Sequence, residues 1–295
     1  MNNSLLNLKG TGVAVVTPFK PDLSVDYGSI NKIVNHLIGG GINYLVVQGT
    51  TGESSTLSDY EKDKSREKFL DAVHGRLPVV LGLGGNDTNN LVQKITNSDL
   101  NGFSAILSVT PFYNKPTQEG LFQHYVKISD YSELPIILYN VPGRTSCNLE
   151  PETTIRLANY SENIIGIKEA NSENSQIKKL IDNRPENFLI ISGDDETAAE
   201  TVLNGGDGVI SVAANAIPHE FSKMITFSMD NKQKKAFDML YDLKPLLRLL
   251  FEEGNPTGIK AAMHVLNLCE NNLRLPLLPA SKKLYTNIEK IISRI

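Results

Sequence analysis

Cysteine is scarce in this sequence: Cys147 and Cys269 are the only two in 295 residues. They form no CxxC motif and no paired framework, which excludes a disulfide-stapled scaffold and fits a reducing compartment, so a cytoplasmic address is expected. Long apolar runs are missing as well. Nothing approaches the roughly 18 consecutive apolar residues of a membrane span. MNNSLLNLKG opens without a basic stretch leading into an apolar one, so neither an anchor nor an export signal is expected. Neither sign of charge is in large excess either. The 29 basic and 33 acidic residues leave a formal net charge of -4, which gives nucleic acid and anionic lipid no broad attraction.

Several chemical signatures are also absent. The histidines His36, His74, His124, His219 and His264 show no close ligand spacing, and HEFSK at His219 lacks the second histidine of a zinc-protease helix, so no metal site is readable. GLGGND at Gly82 misses the last glycine of GxGxxG, no phosphate-binding GxxxxGKS/T occurs, and GESST at Gly52 is not GxSxG. Nucleotide binding and serine hydrolysis both drop out.

What is present is alternation. Eight short β-branched runs bounded by turn residues begin at Val13, Tyr44, Pro78, Ala105, Pro135, Ile164, Phe188 and Gly208. Segments with helical periodicity lie between them, among them 26–37, 58–73, 120–131 and 195–203. Near-continuous apolar strands joined by crossover helices predict a parallel sheet buried on both faces, and eight such units fit a closed (β/α)8 TIM barrel of about 250 residues. An open doubly wound sheet is the alternative, but it expects a glycine-rich turn after its first strand, which ends here in TPF. Beyond Pro218 only helix-like segments appear. The expected organisation is therefore a barrel over residues 1–217 carrying the active site, with a helical region over 218–295.

In such a barrel the chemistry sits where strands end, and those positions are polar here. IIGIKEA places Lys168 near the end of a buried run. It reads either as a lysine that snorkels or pairs with Glu169, or as a nucleophile. Strand alternation favours the second, because Lys168 pointing inward puts Glu169 on the opposite face. A desolvated amine gives up its proton more readily and can form a Schiff base with a carbonyl substrate. Tyr139 shares the face of Ile137 one strand away. It is a core tyrosine or a proton carrier for imine chemistry, and alone it does not say which.

GTTGES sets Thr50 and Thr51 at another strand end, between glycines that let backbone approach a ligand. The string also suits an ordinary turn. Arg144, in the loop YNVPGRT, would by default lie on the surface, but at a barrel mouth its planar fork suits a substrate carboxylate. Tyr113 in TPFYN reads as an interface aromatic, a site residue, or both.

These stretches, together with GVAVVTPF, VTPFYNKPTQEGLFQHY, SGDD and GVISVAAN, resemble in order and spacing the pyruvate-dependent Schiff-base aldolases and lyases, and among them the dihydrodipicolinate synthases. The resemblance runs along nearly the whole chain. It implies that Lys168 forms an imine with pyruvate, with Tyr139 as proton donor and acceptor and with Thr50 and Tyr113 completing a relay. Tyr113 is expected to reach in from a neighbouring subunit. Thr51 and the backbone at Ile210 are implied to hold the pyruvate carboxylate, Gly193 to line the site, and Arg144 to receive the carboxylate of aspartate 4-semialdehyde. The resemblance further implies no cofactor, small-molecule partners only, and a homotetramer built from tight dimers.

Sister enzymes such as N-acetylneuraminate lyase lack the arginine that Arg144 supplies, so the substrate expectation rests on that residue. Another 2-oxo acid aldolase and a catalytically silent ligand-binding barrel are the alternatives. The resemblance departs in one place. Lys62 and Asn90 stand where lysine-inhibited members carry histidine and glutamate, so weak or absent inhibition by lysine is expected.

Overall fold

A computed structural model of the protein describes residues 8–171 and 173–294. The strands β1 (Gly10–Ala14), β2 (Tyr44–Val47), β3 (Val79–Gly82), β4 (Ala105–Val109), β5 (Ile136–Asn140), β6 (Ile164–Glu169), β7 (Leu189–Ser192) and β8 (Gly208–Ser211) close into one barrel in sequence order. Every pairing is parallel, including that of β8 back to β1. Each strand leads into a covering helix: α1 (Tyr27–Gly39), α2 (Asp59–Val73), α3 (Thr88–Asn97), α4 (Gln118–Tyr131), the short α5 (Pro142–Thr145) with α6 (Pro151–Tyr160), α7 (Asn174–Asn183), α8 (Ala198–Leu203) and α9 (Pro218–Met229). The (β/α)8 expectation is met.

Local chemistry explains where the helices begin. The side chains of Asp26, Ser58, Asp87 and Thr117 each accept a hydrogen bond from a backbone N–H in the first turn, and Ser58 with Glu61 completes a capping box. Helix α1 then turns Ile30, Ile33, Val34 and Leu37, all buried, toward the strands. Helix α8 starts three residues later than the sequence suggests because Asp195 is otherwise engaged. Its carboxylate accepts from the backbone N–H groups of Val212 and Ala213, while Asp194 Oδ1 accepts from Thr197 N.

The first strand also differs from its sequence reading. It begins at Gly10 rather than Val13, because closure of the barrel pairs Gly10 with Gly208. A Cβ on Gly208, whose φ is +153°, would fall 2.1 Å from the Gly10 carbonyl oxygen, so only glycine closes this seam. The barrel interior is filled by alternate strand residues, among them Tyr44, Val46, Leu107, Ile137, Tyr139, Ile191 and Ile210. A register shift between β5 and β6 leaves Ile165 without a partner in β5. Beyond it Leu138 pairs Ile167 and Tyr139 pairs Lys168.

Three further helices, α10 (Gln233–Glu252), α11 (Thr257–Val265) and α12 (Lys282–Ile292), follow α9. Helix α10 packs against α8 and α9, and α11 and α12 pack against α10. No described helix is long and apolar enough to cross a membrane.

Candidate active site

The C-terminal ends of the strands surround a cavity of about 420 Å³ whose wall includes Thr50, Thr51, Tyr139, Arg144, Lys168 and Gly193. Six of the eight residues singled out from sequence are thus brought together. Lys168 is 5% exposed, and its Nζ lies 4.4 Å from the centre of the Tyr139 ring. Both face inward at the same level because β5 and β6 pair them directly.

The alternative partner of Lys168 faces the other way. Glu169 lies behind the barrel wall, where its carboxylate accepts from Asn140 Nδ2 at 3.0 and 3.1 Å, from Gln176 Nε2 at 2.9 Å and from Asn171 N at 2.7 Å. Burial pushes this carboxyl above the usual carboxylate value, against those hydrogen bonds. The network ties the ends of β5 and β6 together, so the backbone that carries Tyr139 and Lys168 cannot slide. Gly193 closes the next wall. Its N–H donates to the Glu169 carbonyl at 2.7 Å, and a Cβ there would sit 2.6 Å from Cβ of Ala170, so any side chain would push the strand ends apart.

Thr50 is exposed at the cavity rim, whereas Thr51 is buried beneath it. Thr51 Oγ1 accepts from Asn255 Nδ2 at 3.0 Å, and Arg144 reaches the Asn255 carbonyl at 3.5 Å. Asn255, in the GNP turn between α10 and α11, therefore touches both groups that sequence assigned to carboxylate binding. No local sequence pattern singles out Asn255. Phe251 of α10 joins it in the wall.

Two candidates lie elsewhere. Ile210 packs its side chain into the barrel interior, so its backbone is what it can offer a ligand. Tyr113 is 88% exposed and outside the cavity. Its φ of +75° is unusual for an aromatic residue, and the loop that holds it is fixed by reciprocal bonds between Asn86 and the 112–114 turn. The ring is held out from its own chain.

Next to the site, Asp195 is buried and burial pushes its carboxyl from the ordinary 3.8 up to about 6. The folded protein thus holds this proton more tightly than the unfolded chain, so the group's contribution to stability is full below pH 3.8 and is lost as pH rises through about 6. Comparing melting temperatures of the parent and Asp195→Asn from pH 4 to 7 is expected to show the parent's relative advantage shrinking as pH rises. A growing advantage would contradict it.

The cavity opens through Thr50, Tyr139 and Arg144 into a groove of about 1340 Å³ along α2 and α3, where Lys62 and Asn90 both stand. Among the described residues no group of three or more His, Cys, Asp or Glu is arranged to hold a metal ion.

Known proteins are similar to this chain in sequence and in fold. A 4-hydroxy-tetrahydrodipicolinate synthase of Flavobacterium psychrophilum is 49% identical over 280 residues, which cover 95% of this chain and 96% of that protein. The structure of a monomeric dihydrodipicolinate synthase variant superposes with a TM-score of 0.95 at 38% identity, covering 99% of this chain and 98% of that one. A pyruvate complex of the chloride-inhibited dihydrodipicolinate synthase from Acinetobacter baumannii gives a TM-score of 0.93 at 40% identity, with 98% and 100% covered. Residues 7–295 match the Dihydrodipicolinate synthetase family as a whole, and the chain belongs to that family.

Proposed function

We propose that this lyase condenses pyruvate with L-aspartate 4-semialdehyde, with Lys168 as the covalent anchor. The observation that carries the reading is the pairing of an inward, nearly buried amine with a tyrosine ring 4.4 Å away at the mouth of a small cavity of mixed polar and apolar lining. Lys168 Nζ adds to the ketone carbon of pyruvate, water leaves, and an imine forms. Loss of a methyl proton gives an enamine, whose carbon bonds to the aldehyde carbon of the second substrate. That substrate's amine then adds to the imine carbon, displaces Lys168 and closes the ring.

Each step moves a proton, which is the work of the Tyr139 phenol, relayed through Thr50 and the partner subunit's Tyr113. Thr51 and the Ile210 backbone hold the pyruvate carboxylate against the Gly193 wall. Arg144, at the rim, takes the semialdehyde carboxylate in its planar fork. The lysine serves as electron sink, so the scheme calls on no cofactor.

Arg144 decides the substrate. With pyruvate present, the parent is expected to consume aspartate semialdehyde and to ignore N-acetylmannosamine. Arg144→Ala should lower kcat/KM for the semialdehyde by about ten- to a hundredfold, the scale of losing charge-assisted hydrogen bonds to a carboxylate, while pyruvate still forms its imine. Turnover of N-acetylmannosamine, or an undamaged Arg144→Ala, would overturn the assignment.

The outward Tyr113 supports an assembly of at least a dimer, and we extend this to a homotetramer in the cytoplasm, which solution scattering checks. Lys62 and Asn90 leave the groove along α2 and α3 without the histidine and glutamate of lysine-inhibited members. Titration of the assay with L-lysine is accordingly expected to give weak or no inhibition, and strong inhibition would contradict the reading.

A further inference from the structure

Glu53 and Lys260 form an ion pair at 2.5 Å with side-chain exposures of 1% and 0%. Lys260 belongs to α11, whereas Glu53 ends the GTTGE turn that carries Thr50 and Thr51. Lys260 Nζ also donates to the Asn272 carbonyl at 2.8 Å and lies 4.1 Å over the Phe19 ring, and the second oxygen of Glu53 accepts from Arg274 N at 3.1 Å. Burial still pulls the Lys260 amine below its ordinary value. A buried pair of this kind is poor evidence for stability, since apolar replacements often serve a fold as well or better. Its place in the chain suggests another use.

Glu53 has φ +50° and Gln48 has φ +58°, both in the left-handed region that side-chain-bearing residues avoid. The two flank the segment Gly49–Gly52. Gln48 is held on one side, accepting from Arg66 Nε at 3.1 Å and donating to the Lys62 carbonyl at 2.7 Å. Glu53 is held on the other by Lys260. The threonine turn is thus clamped in a strained conformation at both ends, and one clamp comes from a distant helix.

We propose that Lys260 is a positioning residue of the reaction, acting through Glu53 to hold Thr50 and Thr51 where pyruvate is bound. This rests on the proposed function above. Its test uses the whole chain, with pyruvate kinetics, borohydride trapping and melting temperature measured on the parent, Glu53→Asp and the double variant Glu53→Gln/Lys260→Met. The double variant removes both charges and so strands neither, and aspartate is at least as tolerant of a left-handed φ as glutamate.

In both variants the half-saturating pyruvate concentration is expected to rise roughly tenfold and trapping to slow by a similar factor, the scale of a small misplacement of binding groups. Melting temperature and half-saturating semialdehyde should stay close to the parent. Should the double variant not fold, Glu53→Asp decides alone. Parent-like pyruvate kinetics in the folded variants would overturn the inference while leaving the proposed function standing. A parent that pyruvate and borohydride do not modify would overturn both.

Discussion

Lys168→Ala is expected to abolish condensation, with turnover falling at least about 10⁴-fold, because no other described residue of the cavity wall can hold pyruvate covalently. The loss should be confined to chemistry. Lys168 is buried, but its partners in space are the Tyr139 ring and the strand wall, so its removal breaks no ion pair with Glu169, which bonds to Asn140, Gln176 and Asn171 on the other face. A buried amine is costly to keep out of water, and removing it is expected to leave the melting temperature unchanged or raised. A variant that loses activity because it unfolds would count against this account.

The second large effect belongs to Tyr139→Phe. The ring fills the top of the barrel interior, and phenylalanine keeps that packing, so stability should barely change. What is lost is the hydroxyl proposed to carry protons. Removing a general acid or base costs about 10²- to 10⁴-fold, and kcat is expected to fall within that range. The two variants should separate cleanly under borohydride. Tyr139→Phe still owns the amine and should be trapped by pyruvate, only slowly, whereas Lys168→Ala should not be trapped at all. Parent-like kcat in Tyr139→Phe would remove the phenol from the mechanism.

Why Lys168, Tyr139 and Arg144 could be read from sequence, and Asn255 and Lys260 could not, follows from the range of the contacts. Lys168 and Tyr139 sit near the ends of short apolar runs, where period-two alternation assigns faces locally, and the β5–β6 register shift lies far enough upstream to leave that assignment intact. Asn255 meets Thr51 across 204 positions and Lys260 meets Glu53 across 207, and no local pattern encodes a contact of that separation. The start of β1 differs from its sequence expectation for a similar reason, since it is set by closure against Gly208 rather than by its own apolar residues. Tyr113 is a different case. The fold places it outside the cavity of its own chain, so the role that the resemblance implies for it rests on the proposed assembly.

The central claim is that pyruvate becomes covalently bound at one lysine. Incubation of the parent protein with pyruvate and sodium borohydride, followed by intact and peptide mass spectrometry, tests it directly. The account predicts one reduced pyruvate adduct per chain, located on Lys168 in the peptide containing IIGIKEA. Modification of a different lysine, or full turnover with no adduct formed, would contradict it.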